Sequence, residues 1–261
     1  MIDFVQMLIL AAIQGLTEFL PVSSSGHLVL AQHFLGARQG DVFFDIVLHV
    51  GTLGSVVTVY RREILRLLRL DRAARSYIVC LAVGTLPAVA VGLLARDLIG
   101  NLFHSPLFAA GGLLVTALVL FSTRRVPAQN SLPTVWSPQG PPLVKCLLVG
   151  FAQALAILPG ISRSGSTIAA SLWLGIPRAE AARFSFLLSL PAITGALVLE
   201  LAQGGAAAPA EVLPMLGAAF VAFAVGLLAI RWTALAVVQS HFWKFGFYCV
   251  VVGVGAFLIL R

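Results

Sequence analysis

The chain has 261 residues, of which 59% are hydrophobic and only 10% charged, and its mean hydropathy is +1.00. A soluble domain carries roughly 25% charged residues, so this composition excludes a water-soluble globular protein and makes lipid the main solvent. The net charge of +7 does not denote a nucleic-acid binder, because the basic residues fall in short runs between apolar stretches, as membrane loops do.

In chain order, the first apolar run, 4–20, ends in Pro21 and a Ser/Gly cluster, Ser23-Ser24-Ser25-Gly26, followed by a short apolar run, 28–36. Proline and glycine break helices, so 4–36 reads as two half-length helices around a polar break, a re-entrant hairpin. Three stretches of spanning character follow, 44–60, 77–95 and 107–123. The pattern then repeats. Run 143–158 meets Pro159-Gly160-Ile161-Ser162-Arg163-Ser164-Gly165, a short run covers 168–177, and spans are predicted at 184–202, 213–230 and 245–260. Non-helical backbone at membrane depth is tolerated only where it is buried in protein or lines a wet cavity.

The fold expected is therefore all-α and membrane-embedded, one domain over 1–261, with six transmembrane helices and two re-entrant helical hairpins. The charges favour this count. With both hairpins returning to their side of entry, Arg61, Arg62, Arg66, Arg69, Arg72, Arg75, Arg124, Arg125, Lys145, Arg178, Arg183, Arg231 and Lys244 fall on one face. Only Arg38, Arg96 and Arg261 fall on the other. The positive-inside rule makes the first face cytoplasmic and places both termini outside.

The hairpins superpose at an offset of 139: Gln14 on Gln153, Ser23 on Ser162, Ser25 on Ser164, Gly26 on Gly165. Three spans separate them, so they enter from opposite sides. Repeat one is 1–123 and repeat two 143–261, an inverted-topology arrangement typical of secondary transporters. On architecture alone, a carrier for a lipid phosphate is a full alternative to an enzyme.

The first motif places Gln14 and Glu18 one helical turn apart on one face. A carboxylate at membrane depth is costly and marks function. Thr17 could support it. Ser23, Ser24, Ser25, Gly26 and His27 follow within the break, supplying hydroxyls and an imidazole that can act as base, acid or nucleophile. In the second motif Gly160, Ser162, Ser164, Gly165 and Thr167 surround Arg163 at a helix start, an anion site with a planar guanidinium fork. Together these groups suggest phosphoryl transfer. A pyrophosphate would attract a divalent cation, Mg or Ca, with Glu18 as the best single ligand.

These residues resemble the signature motifs of the bacterial undecaprenyl pyrophosphate phosphatases, the bacitracin-resistance family. Gln14–Glu18 matches its Glu-or-Gln, three residues, Glu motif, and Pro159–Thr167 matches Pro-Gly-x-Ser-Arg-Ser-x-x-Thr. The resemblance implies removal of the terminal phosphate from a C55 lipid pyrophosphate at the outer, periplasmic face of the bacterial inner membrane. It implies Glu18, Ser24, His27 and Arg163 as functional residues, with Gln14 at the Glu-or-Gln position and Glu18 as the acidic metal ligand. Ser24 attacking with His27 as base is the preferred assignment; His27 as direct nucleophile and a metal-bound water stay open. The implied partners are the polyprenyl pyrophosphate and membrane lipids, with no nucleic acid and a homodimer left open.

The remaining polar residues have plainer readings. Asp45, His49 and Thr52 could line the pocket, but helix packing is the plainer reading, and Arg178, Glu180 and Arg183 read as a solvated cytoplasmic turn. His33, His104 and His241 lie near predicted interfaces without a catalytic role. The basic linker 61–76 is amphipathic enough to lie on lipid headgroups. Trp232, Trp243 and Tyr248 read as interfacial anchors, and Cys80, Cys146 and Cys249 as small packing residues.

Overall fold

The computed structural model describes residues 4–36, 42–127, 140–201 and 212–261. Among these, the ordered elements are helices: α1 Phe4–Phe19, α2 Ser24–Phe34, α3 Val42–Val59, α4 Arg61–Leu67, α5 Arg72–Leu94, α6 Arg96–Phe103, α7 Pro106–Ser122, α8 Leu143–Leu155, α9 Arg163–Trp173, α10 Arg178–Leu201, α11 Val212–Val238 and α12 Phe245–Ile259. Short 3-10 turns cover Thr123–Arg125 and Phe242–Lys244.

Five helical segments, built on α5, α7, α10, α11 and α12, are long and apolar enough to cross a membrane. The α3–α4 pair makes a sixth if its two parts, bent by 81° about Tyr60, are one span. The surface is inverted relative to a soluble protein. Leu94, Leu213 and Val251 are 89%, 79% and 71% exposed, while Gln14, Glu18, Thr52, Ser164 and Thr167 are buried. Apolar atoms outside and polar atoms inside is the arrangement hydrocarbon demands. This is an integral membrane protein.

Helices α1 and α8 have 16 and 13 residues, or about 24 and 20 Å of rise, against a hydrocarbon core of roughly 30 Å. Both stop inside the bundle. After each, the chain reverses through a cap that the sequence encodes locally. Ser23 Oγ accepts from Gly26 N at 3.3 Å to start α2, and Ser162 Oγ accepts from Gly165 N at 3.0 Å to start α9. Gln6 Nε2 donates to the Leu35 carbonyl at 3.0 Å, so the entry of α1 and the exit of α2 share one end of the bundle. At the other end, Cys80 and Cys146 Sγ donate to the Pro141 carbonyl, and Arg178, just past α9, donates to the Val126, Pro127 and Val237 carbonyls. There too Arg124 stacks over Trp243, 4.9 Å from its ring centroid. Two residues of the predicted basic face, Arg124 and Arg178, thus lie near the turn that follows α7.

The connection between the predicted spans 77–95 and 107–123 contains α6, whose apolar Ile99 is buried. One expectation is corrected. Arg178 and Glu180 are buried rather than solvated: Glu180 accepts from Tyr77 Oη at 2.9 Å and from Arg183 Nη1 at 2.6 Å. An Arg-rich turn reads as solvated in a local window, but here it is where α5, α10 and α11 meet. In the linker, Arg61–Leu67 is the short helix α4, with Leu67 buried and Leu65 exposed.

The two hairpin tips touch through glycine. A Cβ on Gly160 would lie 2.1 Å from the Ala109 carbonyl oxygen, one on Gly112 2.3 Å from that of Pro159, and one on Gly26 2.8 Å from Gly160 Cα. Gly160 also sits at φ +89°, in the left-handed region. Thr116 of α7 fastens the tip, donating to the Gly160 carbonyl at 2.7 Å and accepting from Ser162 N at 2.9 Å. Gly160→Ala therefore meets both a backbone clash and a disfavoured φ, with an expected cost of roughly 2–5 kcal/mol. Thermal unfolding in detergent should register it as a lowered midpoint, together with lost activity.

Candidate active site

The break between α1 and α2 delivers Glu18 from the last turn of α1 and Ser24 and His27 from the first turn of α2. The second break delivers Arg163 at the first position of α9. Arg163 Nη2 donates to Glu18 Oε1 at 2.6 Å across 145 residues of sequence. The other carboxylate oxygen, Oε2, accepts from Ser24 Oγ at 2.6 Å and from Gln14 Nε2 at 3.0 Å. Glu18 is nearly inaccessible, so this charge is offset by its partners rather than by water.

Among the described residues, two buried atoms at this centre lack a hydrogen-bond partner: Arg163 Nη1, a donor, and Gln14 Oε1, an acceptor. Leaving such atoms unsatisfied costs about 1–3 kcal/mol each, and orphans of opposite kind suit a ligand carrying anionic oxygens and a cation.

His49 Nε2 lies 3.6 Å from Glu18 Oε2. Its Nδ1 is 2.7 Å from the Asp45 carbonyl oxygen, an acceptor, so Nδ1 carries the proton. In the neutral ring, Nε2 then turns its lone pair toward the carboxylate. Two acceptors facing each other call for a proton or a cation between them.

A family model described as bacitracin resistance protein BacA matches residues 7–255. The chain belongs to the BacA family. Curated relatives named undecaprenyl-diphosphatase are similar over nearly the whole length. The protein of Desulfatibacillum aliphaticivorans is 41% identical, covering 96% of each chain. That of Rhodopirellula baltica is 39% identical, again over 96% of each. That of Korarchaeum cryptofilum is 37% identical over 99% of this chain and 100% of its own.

In this BacA-family site the sequence-predicted residues divide by position. Glu18, Ser24, Gln14 and Arg163 converge in one contact network. His27 is beside it but bonded elsewhere, with Nδ1 2.8 Å from the Ser23 carbonyl oxygen and Nε2 2.9 Å from Tyr248 Oη. The partner of the Ser24 hydroxyl is Glu18, not His27. Thr17 Oγ1 donates to the Ile13 carbonyl of its own helix at 2.7 Å. Ser23 and Ser25 hydroxyls pair with each other at 3.2 Å. Ser164 Oγ donates to the Leu20 carbonyl at 3.2 Å, and Thr167 meets Ser185 Oγ of α10 at 2.6 Å, so these two tie α9 to its neighbours. Gly26 and Gly160 permit the close approach of the tips, whereas Gly165 makes room for the Ser162 cap of its own tip, where a Cβ would lie 2.9 Å from that of Ser162. His49, Thr116 and Tyr248 complete the centre from α3, α7 and α12, and sequence reasoning did not assign them to it.

Proposed function

We infer that this chain hydrolyses undecaprenyl diphosphate to undecaprenyl phosphate and inorganic phosphate within the membrane, the activity its relatives' names carry. The observation that supports this most is the 2.6 Å Glu18–Arg163 contact between the two motifs, with Ser24 Oγ 2.6 Å from the same carboxylate. Arg163 has a donor to spare for a phosphate oxygen. Ser24 Oγ attacks the terminal phosphorus, and its proton passes to Glu18. The bond from that phosphorus to the bridging oxygen breaks, and undecaprenyl phosphate leaves. Water then attacks the phosphoserine and gives a proton to His27 Nε2, while Ser24 Oγ takes back its proton from Glu18 and inorganic phosphate departs. His27 suits this second role because the Ser23 carbonyl keeps Nδ1 protonated and leaves Nε2 as acceptor.

The donor set also fits a divalent cation. Glu18 Oε2, the orphaned Gln14 Oε1 and the His49 Nε2 lone pair would hold it. Among the described residues no group of three or more His, Cys, Asp or Glu is arranged for a metal, so an ion held by Glu18, Gln14 and His49 would need further oxygen donors from the substrate. When bound, it neutralises charge on the departing phosphate. His49→Ala is expected to raise the Mg or Mn concentration giving half-maximal thermal stabilisation by about 10–100-fold. Unchanged cation titration by the variant would remove His49 from the ligand set.

We read the α1–α2 and α8–α9 hairpins as re-entrant segments of an inverted repeat, 1–123 and 143–261, beside six spans. Support comes from equivalent pairings, α1 along α11 and α8 along α5, and from caps 139 residues apart at Ser23 and Ser162. The basic end is cytoplasmic by the positive-inside rule, which puts both termini outside and the first hairpin's entry on the periplasmic side of an inner membrane. The same architecture would suit a carrier that flips the lipid phosphate. Vesicles holding the purified protein and undecaprenyl diphosphate in both leaflets separate the readings. Hydrolysis releases inorganic phosphate, whereas a carrier alone redistributes intact diphosphate between leaflets without releasing any.

A further inference from the structure

Arg163 reaches Glu18 from the end of a non-helical turn, 160–162. We propose that Thr116 of α7 is a positioning residue for Arg163, pinning that turn so that the guanidinium is delivered against Glu18; this rests on the hydrolysis inferred above. Thr116 Oγ1 donates to the Gly160 carbonyl at 2.7 Å and accepts from Ser162 N at 2.9 Å. A hydroxyl has one proton to give and can still accept, so both bonds form at once. Thr116 is 2% exposed, so water does not stand in for either partner. Ser162 in turn caps α9, its Oγ accepting from Gly165 N at 3.0 Å, and Arg163 is the next residue. One side chain thus fixes the turn at two points, one of them adjacent to Arg163.

This is not the usual bonding of a threonine in a helix. Thr58 and Thr85 donate to carbonyls of their own helices, Gly54 at 2.8 Å and Leu81 at 2.7 Å, whereas both bonds of Thr116 leave α7. The other ties of the second tip act on α9 as a body: Ser164 on the Leu20 carbonyl and Thr167 on Ser185. The glycine contacts bring Gly160 close to Gly112, but apolar contact carries no direction. Helix α7 also flanks the first tip, since a Cβ on Gly26 would lie 3.4 Å from Leu113 Cδ2. The helix therefore registers the two tips against each other, and Thr116 supplies the directional part. Without its hydroxyl the Gly160 carbonyl and the Ser162 N–H lose these partners, and the buried turn shifts to find others. The 2.6 Å contact between Arg163 and Glu18 leaves little room for such a shift.

The test measures phosphate release from undecaprenyl diphosphate by Thr116→Val and Thr116→Ser in the wild-type and Arg163→Lys backgrounds, on protein verified as folded. Valine is nearly isosteric with threonine and lacks only the hydroxyl. In the wild-type background it should lower kcat/KM about 10–10²-fold, the scale of a displacement of roughly 1 Å. Serine keeps the hydroxyl and should restore the rate to within about twofold of wild type. In the Arg163→Lys background valine should cost less than about twofold further, because the group it positions is gone. A general loosening of the fold would instead cost the same factor in both backgrounds. Thr116→Ala, which removes the same hydroxyl without adding a methyl, is the companion variant with the same expected losses. A wild-type kcat/KM for folded Thr116→Val, an equal loss in both backgrounds, or a serine variant no better than valine overturns the proposal. Amide hydrogen exchange of the segment 158–166 needs no substrate. It should quicken at least about tenfold in Thr116→Val and match wild type in Thr116→Ser. Unchanged exchange in Thr116→Val overturns the pin whatever the lipid substrate proves to be.

Discussion

Ser24→Ala is expected to lower kcat by at least about 10⁴-fold, as removal of a hydroxyl nucleophile does elsewhere, while leaving lipid binding nearly intact. Ser24 begins α2, so its Oγ is fixed by helix geometry rather than by a mobile loop. It lies 2.6 Å from Glu18 Oε2, the distance of a charge-assisted hydrogen bond. The carboxylate is therefore placed to receive the serine proton as the oxygen forms its bond to phosphorus. Alanine removes the proposed attacking atom and little else, since the Ser23 cap that starts the helix stays in place. Phosphate release and binding of a non-hydrolysable diphosphate analogue, measured on the same preparation, check this. Retention of most of the wild-type rate would replace serine attack by direct attack of water.

Arg163→Lys is expected to lower kcat/KM by about 10²–10³-fold, the scale for losing one preorganised donor to developing charge. Lysine keeps the positive charge but not the fork. Arg163 uses Nη2 on Glu18 and presents Nη1 with no protein partner. A single ammonium cannot satisfy Glu18 at 2.6 Å and also reach a phosphate oxygen along a second fixed direction. The loss should appear in kcat as well as KM, because the terminal phosphoryl group gains negative charge on its peripheral oxygens in transfer. A change confined to KM would make Arg163 a binding residue alone.

Much of this site was legible because charge and small residues are conspicuous against an apolar chain. Pro21 and Gly160 marked the breaks, and the Ser23 and Ser162 caps formed where the Ser/Gly clusters stand. Glu18 and Arg163 are charged groups at membrane depth, and their pairing followed from the offset of 139 and the topology. At that offset Ser24 is matched by Arg163 and Glu18 by Ile157, so the two tips carry different chemical groups.

What escaped were residues whose chemistry resembles ordinary packing. Thr116 is one threonine in an apolar helix, yet it pins the second tip at Gly160 and Ser162. His49 lies four residues after Asp45, a spacing that a helix makes for any pair; only the fold turns its ring to Glu18. Tyr248 sits near Trp243 and Lys244, and that local company suggested an interface anchor, whereas its partner is 221 residues away. The burial of Arg178 and Glu180 failed to show for the same reason: which face of a helix meets another is set by packing between helices distant in sequence, not by a local window.

The central claim is that the two motifs form one hydrolytic centre. Its most direct test is inorganic phosphate release from undecaprenyl diphosphate by the purified protein in detergent, for wild type, Glu18→Gln and Arg163→Lys, each verified as folded by its elution and unfolding profiles. Wild type should release phosphate, and a change in either motif alone should nearly abolish it. A folded wild type that binds the lipid but releases no phosphate, or either variant retaining the wild-type rate, would contradict the account.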